Sequence, residues 1–137
     1  MDNGTGRFII IDDDPVSIIV TEIYIRKESE RSEIKSFTFA HLALKYLEEE
    51  YNNLPQNVST LLLLDLHMPM MDGFEFLERF DKLQITKAKI KIVALSVFPD
   101  KRERQRVMQY SHVTEYYAKP LTRQVLNHLI VENGFLL

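Results

Sequence analysis

Short apolar runs alternate along this chain with stretches whose apolar positions recur every three or four residues. Phe8-Ile-Ile-Ile11 is apolar throughout, as a strand covered on both faces is. Asp14 and Pro15 mark a helix start: a capping side chain stands before a ring whose φ is already helical. Val16, Ile19, Val20 and Ile23 follow at helical spacing and give that helix one apolar face. A weaker strand is predicted over Glu33 to Phe37. Ala40, Ala43, Leu44 and Leu47 predict a second helix that ends in the acidic run Glu48 to Glu50. The segment from Asn52 to Asn57, which contains Pro55, reads as loop.

Thr60-Leu-Leu-Leu-Leu64 is the clearest central strand, and a loop with Pro69 and Gly73 follows it. Phe74, Leu77 and Phe80 predict a third helix, and Ile90 to Leu95 a fourth strand. Pro99 is expected to open a fourth helix, a basic one carrying Lys101, Arg102, Arg104 and Arg106. Tyr116-Tyr-Ala118 reads as a short fifth strand; Leu121, Val125, Leu126, Leu129 and Ile130 predict a last helix. Strict alternation of strand and helix argues for an α/β domain with a doubly wound parallel sheet, because right-handed crossovers place helices on both faces.

The 137 residues suit one domain over 1–137, with residues 1–6 expected as a flexible tail. With 45% hydrophobic and 27% charged residues the chain is globular rather than disordered. It has no cysteine, which removes disulfides, thiolate metal sites and cysteine nucleophiles from consideration. No apolar run is long enough to span a bilayer, and no signal pattern opens the chain, so a cytoplasmic location is expected. A net charge of −3 gives no general attraction to nucleic acid.

Candidate chemistry follows from the strand ends, since ligands of open α/β sheets bind outside the carboxyl ends of the strands. Asp12, Asp13 and Asp14 follow the first strand, Asp65 the third, Ser96 the fourth and Lys119 the fifth. With strands in the order 2-1-3-4-5 these groups converge on one crevice. Carboxylates so close repel by about 4 kcal/mol per pair at ~4 Å and an effective dielectric near 20. They call for a cation, and an all-oxygen donor set suits Mg²⁺ or Mn²⁺. Lys119 opposite that cation suits a phosphoryl group between two positive centres, with Ser96 donating to one of its oxygens. Each signal alone has a bland reading as a cap or turn; their joint placement at four strand ends carries the inference.

Four motifs, Ile10-Ile-Asp-Asp-Asp-Pro15, Leu63-Leu-Asp-Leu-His-Met-Pro-Met-Met-Asp-Gly73, Ala94-Leu-Ser96 and Tyr116-Tyr-Ala-Lys-Pro120, occur in fixed order. Through them the chain resembles, over nearly its whole length, the response-regulator receiver family of two-component signalling. The resemblance implies a flavodoxin-like five-stranded sheet with five helices, in a bacterial, chemotaxis-receiver-like protein; with no output domain after the fifth helix, a stand-alone receiver is expected unless the sequence is a fragment of a longer protein. It implies that Asp65 accepts a phosphoryl group from a sensor histidine kinase or a histidine phosphotransfer protein. Asp13 would hold Mg²⁺ directly and Asp12 through water, with Asp65 and the His67 backbone carbonyl as further metal ligands. Ser96 and Lys119 would bind the phosphoryl group, Ser96 and Tyr116 would form the switch, and Met68, Pro69 and Gly73 would shape the acceptor loop. Phosphorylation would alter the face formed by the fourth helix, fifth strand and fifth helix, where an unknown output protein, or a second copy of the chain, would bind. Direct nucleic-acid binding and membrane insertion are not expected. The protein is then a phosphorylation-switched signalling domain that assists its own phosphotransfer and autodephosphorylation, not an enzyme with a separate substrate.

Three positions depart from the family pattern. Val97 and Phe98 are bulky where the approach to the site is narrow, and His112 stands in the loop before the fifth strand where glycine is common, so a reshaped loop is expected there, histidine being more tolerant of positive φ than most residues. Phe98 and His67 are expected to flank the path of hydrolytic water. Rival readings fit less well. A phosphatase of the haloacid-dehalogenase kind wants an acid two places after the nucleophile, where His67 stands. A mononucleotide site of flavodoxin type wants a Gly-rich loop after the first strand, where three aspartates stand. A receiver that scaffolds without being phosphorylated is a third reading, kept open by Val97. His41 and His128 read as surface residues, and Phe74, Phe76 and Phe80 as core.

Overall fold

The computed structural model describes residues 6–134. Strands β1 (Arg7–Ile11), β2 (Glu33–Phe37), β3 (Thr60–Asp65), β4 (Ile90–Ser96) and β5 (Val113–Ala118) alternate with helices α1 (Pro15–Glu28), α2 (Ala40–Glu50), α3 (Gly73–Asp81), α4 (Lys101–Val107) and α5 (Arg123–Glu132). All neighbouring strands are parallel, in the order β2-β1-β3-β4-β5. The chain thus adopts the flavodoxin-like α/β fold.

Period-2 alternation divides the central strands between two cores. Ile9, Ile11, Leu62, Leu64, Ile92 and Ala94 face α2, α3 and α4. Phe8, Ile10, Leu61, Leu63, Val93 and Leu95 face α1 and α5. Phe74, Phe76, Leu77 and Phe80 of α3 are all buried in the first core, as expected of them. Each contributes about 1.5–3 kcal/mol of burial free energy, which is what fixes α3 beneath the acceptor loop.

The apolar face read for α1 points the wrong way. Ile18 and Ile25 are the buried residues of this helix, whereas Val16, Ile19, Val20 and Ile23 are 66%, 55%, 40% and 48% exposed. At about 100° per residue, Val16, Ile19, Val20 and Ile23 lie on one side of the helix, and Ile18 and Ile25 nearly opposite. The helix is apolar on two sides, and the sparser side meets the sheet.

Other corrections are local. Pro99 precedes the cap of α4 and does not open the helix. Asp100 is the N-cap, and its carboxylate accepts the Glu103 amide at 2.7 Å. Likewise Thr122 caps α5, so Leu121 lies buried just before that helix. Part of the loop read over Asn52 to Asn57 is a 3-10 turn, Tyr51–Asn53. At His112 the loop does without the left-handed backbone that glycine allows; among the described non-glycine residues only Met70 has a positive φ, at 71°. The His112 ring packs edge-on to Phe80, with centroids 5.5 Å apart. Of the tail expected over residues 1–6, residues 1–5 lie outside those described. Gly6 is buried and donates its amide to Ser32 Oγ at 3.1 Å.

Gly73 is needed for closeness, not for φ. A Cβ there would lie 2.7 Å from Leu66 Cα and 3.1 Å from the Asp65 carbonyl oxygen. Its amide also bonds the Leu66 carbonyl at 3.0 Å, so α3 begins hard against the end of β3. Gly73→Ala is expected to cost about 1–3 kcal/mol, because backbone must move to admit the methyl. A denaturant midpoint equal to the parent's would show that the loop yields freely.

Candidate functional site

The carboxyl ends of β1, β3, β4 and β5 meet at one edge of the sheet, and Asp12, Asp65, Ser96 and Lys119 meet with them. Asp65 ends β3 and is 1% exposed. One of its oxygens, Oδ1, accepts the His67 amide at 3.0 Å and the other, Oδ2, accepts Lys119 Nζ at 3.0 Å. Asp12, the residue after β1, is buried and fully engaged. Its Oδ2 accepts Lys119 Nζ at 3.0 Å and the Ser17 hydroxyl at 2.8 Å, and its Oδ1 accepts the Asp14 amide at 2.9 Å. The Lys119 amide donates to the Ser96 carbonyl at 2.8 Å, which carries the β4–β5 pairing past the last strand residue and fixes where the ammonium enters.

Burial raises the Asp65 pKa, against the pull of the His67 amide and of Lys119. Burial works against the Lys119 charge too, but its hydrogen bonds to Asp12 and Asp65 outweigh it, and its pKa rises. The ammonium is therefore held charged between two carboxylates. Asp13 is exposed, and one of its carboxylate oxygens, one of Asp12 and one of Asp65 lie within 4.8 Å of one another. Three carboxylates and one ammonium leave two negative charges, the amount a divalent ion neutralises. These donors are all oxygen and fit Mg²⁺ or Mn²⁺. Asp14 stands apart from them: its Oδ1 caps α1 by accepting the Val16 amide at 3.0 Å.

Ser96 ends β4 with no exposed surface. Its Oγ lies 3.2 Å from His67 Nε2, and the same nitrogen lies 2.8 Å from Glu103 Oε2. The other oxygen of Glu103 accepts the Tyr116 hydroxyl at 2.6 Å, and the Tyr116 oxygen in turn accepts the Asp100 amide at 3.1 Å. Burial, and next the bond to Glu103, raise the Tyr116 pKa and keep the phenol protonated. Ser96, expected just after the fourth strand, is the last residue of β4, and Tyr116, expected to open the fifth strand, lies inside β5; sequence reasoning missed Glu103 and Ser17 at the site. It assigned the His67 imidazole no partner, and here it has two. The signal for Glu103 was present as Asp100-x-x-Glu103, the spacing of a capping box. Phe98 is 81% exposed, so its ring does not cover the site as expected; His67 is the large side chain that adjoins it.

On one flank, Val16, Val20, Val97, Pro120 and Leu121 line a groove of about 430 Å³ that also reaches Lys119. The outward stripe of α1 continues from its edge. No helix among the described residues is long and apolar enough to cross a membrane.

A family model described as the response regulator receiver domain matches residues 8–131. A two-component response regulator of indica rice, ORR22, is 28% identical over 123 residues, 90% of this chain and 16% of that protein. Another from japonica rice, ORR26, is 25% identical and is matched over 19% of its length. The chain thus spans less than a fifth of these plant relatives. Among solved structures, a two-component response regulator from Cytophaga hutchinsonii has a TM-score of 0.80 at 29% identity, covering 93% of this chain and 96% of that one. A response regulator receiver protein from Dyadobacter fermentans has a TM-score of 0.78 at 26% identity, with the same coverage. Plant and bacterial proteins both match, so the matches do not single out the bacterial source expected from the sequence.

Proposed function

The chain belongs to the response-regulator receiver family, and from that premise we propose that it accepts a phosphoryl group on Asp65 and signals through the α4-β5-α5 face. The observation that carries this reading is the buried Asp65 carboxylate held by Lys119 beside the free carboxylate of Asp13. Asp13 and Asp65, with the His67 backbone carbonyl, would hold Mg²⁺, and Asp12, whose oxygens are already engaged, would reach it through water. When bound, the ion supplies positive charge to the equatorial oxygens of the phosphoryl group.

Asp65 attacks phosphorus in line, the bond to the donor histidine nitrogen breaks, and an acyl phosphate forms. Lys119 turns from Asp65 to a phosphoryl oxygen, where its charge offsets what develops there. Ser96 donates its hydroxyl to another oxygen. That draws Ser96 from its present place, and Tyr116 follows, which shifts a pre-existing equilibrium of α4, β5 and α5. Partners on that face would be an output protein or a second copy of the chain. The experiment is incubation with acetyl phosphate with and without Mg²⁺. Stoichiometric, Mg²⁺-dependent uptake supports the reading, and no uptake under either condition overturns it.

The donor is proposed to be a histidine kinase or phosphotransfer protein that docks on α1. Asp65 opens only at the carboxyl edge of the sheet, so a donor histidine has to arrive over its rim. The exposed Val16, Ile19, Val20 and Ile23 run from that rim, continuous with the groove that reaches Lys119. Apolar stripes left in solvent mark interaction surfaces. Ile19→Asp is expected to slow transfer from a phosphorylated histidine phosphotransfer protein by about tenfold, roughly one lost interface anchor, while labelling by acetyl phosphate stays unchanged. Equal slowing with both donors would place the effect inside the site and not on the docking face.

A further inference from the structure

We propose that Glu103 is a latch that ties the acceptor loop to α4 and holds the unphosphorylated state; this rests on the receiver reading above. Its carboxylate has two arms. One reaches His67 Nε2 at 2.8 Å and the other the Tyr116 hydroxyl at 2.6 Å. The side chain of Glu103 is 14% exposed and that of His67 45%, so the first arm is partly shielded from water. A nitrogen 2.8 Å from a carboxylate oxygen has to carry the proton between them, so Nε2–H is the donor to Glu103. Ser96 Oγ at 3.2 Å is then the weaker second contact of that nitrogen. A movement of Ser96 toward a phosphoryl oxygen would give up this contact.

The second arm makes the latch bistable. In a complete capping box, a glutamate three residues into a helix turns back to the amide of the cap residue. Asp100 makes its half of the box through the Glu103 amide at 2.7 Å. The return half is absent: the Asp100 amide donates to Tyr116 at 3.1 Å, and Glu103 points to His67 and Tyr116. If Tyr116 moves away, Asp100 loses that acceptor, and Glu103 is the group at the right spacing to replace it. Glu103 therefore has two satisfied positions: across the site with Tyr116 in place, or folded back on its own helix once Tyr116 has left. Exchange between them lets α4 respond to Ser96 while the Asp100 amide and the Glu103 carboxylate each keep a partner.

The test compares the full chain with Glu103→Ala and Glu103→Gln. Two quantities are read: the rate of labelling by acetyl phosphate at saturating Mg²⁺, and the Tyr116 ring signal in ¹³C-tyrosine NMR without donor, assigned with Tyr116→Phe. Glu103→Ala is expected to label about three- to tenfold faster, as one charge-assisted hydrogen bond is removed from the resting state, and to shift the Tyr116 signal. Glutamine can bond both partners without charge, so its rate should fall between the two. An alanine variant with the parent's rate and an unmoved Tyr116 signal overturns the latch. Should that variant not fold, the isosteric glutamine variant decides: a rate and signal identical to the parent's would overturn the latch equally. A parent that takes up no label overturns the receiver reading instead, and the Tyr116 signal alone then judges the latch.

Discussion

Asp65→Asn is expected to abolish labelling by acetyl phosphate while leaving the fold intact. Asparagine has the shape of aspartate and an oxygen that can still accept from Lys119 or from the His67 amide, the two groups that now hold Asp65. It has no carboxylate to attack phosphorus, so no acyl phosphate forms. Asp12 and Asp13 are poorer candidates: Asp12 has both oxygens engaged, and Asp13 stands in solvent, outside the ion pairs that Lys119 makes with Asp12 and Asp65. Stoichiometric labelling of the variant at another residue would sink the assignment. The same substitution has a thermodynamic signature. Burial raises the Asp65 pKa above its ordinary value of 3.8. An acid whose pKa is higher folded than unfolded favours the folded state at low pH, and that contribution is lost as pH rises through the folded value. At neutral pH Asp65 is thus a cost to stability, and the asparagine variant is expected to melt at the same temperature as the parent or above it. A variant that melts well below the parent at pH 7 would mean that the ion pair with Lys119 outweighs burial.

The strand ends were legible because their signals are local and strong. An all-apolar run such as Leu61 to Leu64 has no place but the centre of a parallel sheet, so the polar residue that ends it has to lie at the ligand-binding edge. The orientation of α1 was not legible, because periodicity shows that apolar residues share a side but not which side the sheet requires. There the stripe of four lost to Ile18 and Ile25, and Glu22, on the sheet side, is instead used to bond Ser36 of the edge strand at 2.6 Å. The roles of His67 and Glu103 depend on a contact across 36 residues, and no spacing rule brings them together. Glu103 was also masked by its neighbours: within Lys101 to Arg106 it is the one acid, and the segment reads as a basic surface. Phe98 misled for the opposite reason, since a large side chain near a site suggests a cover, yet this one is turned to solvent.

Asp13 and Asp14 are neighbours of the same chemistry, and their alanine variants are expected to behave in opposite ways. Asp13 has an oxygen in the cluster with Asp12 and Asp65, while Asp14 has committed Oδ1 to the Val16 amide. A unit charge about 4 Å from another is worth ~1 kcal/mol even in bulk water, hence about 2 kcal/mol toward a divalent ion. Asp13→Ala should therefore weaken Mg²⁺ binding by roughly 30-fold in calorimetric titration. Asp14→Ala should weaken it by less than about threefold, since a more distant exposed charge is screened by water and salt. Stability without metal should follow the reverse order. Asp13→Ala removes repulsion among carboxylates that, among the described residues, share Lys119 as their one paired cation, so its melting temperature should equal or exceed the parent's. Asp14→Ala removes a helix cap and should lose about 1 kcal/mol. Adding Mg²⁺ should then raise the melting temperature of Asp14→Ala as much as the parent's and that of Asp13→Ala far less, because the ion stabilises only the state that binds it. Equal loss of Mg²⁺ affinity in both variants would show that the acidic loop offers its carboxylates in a different register from the one seen here.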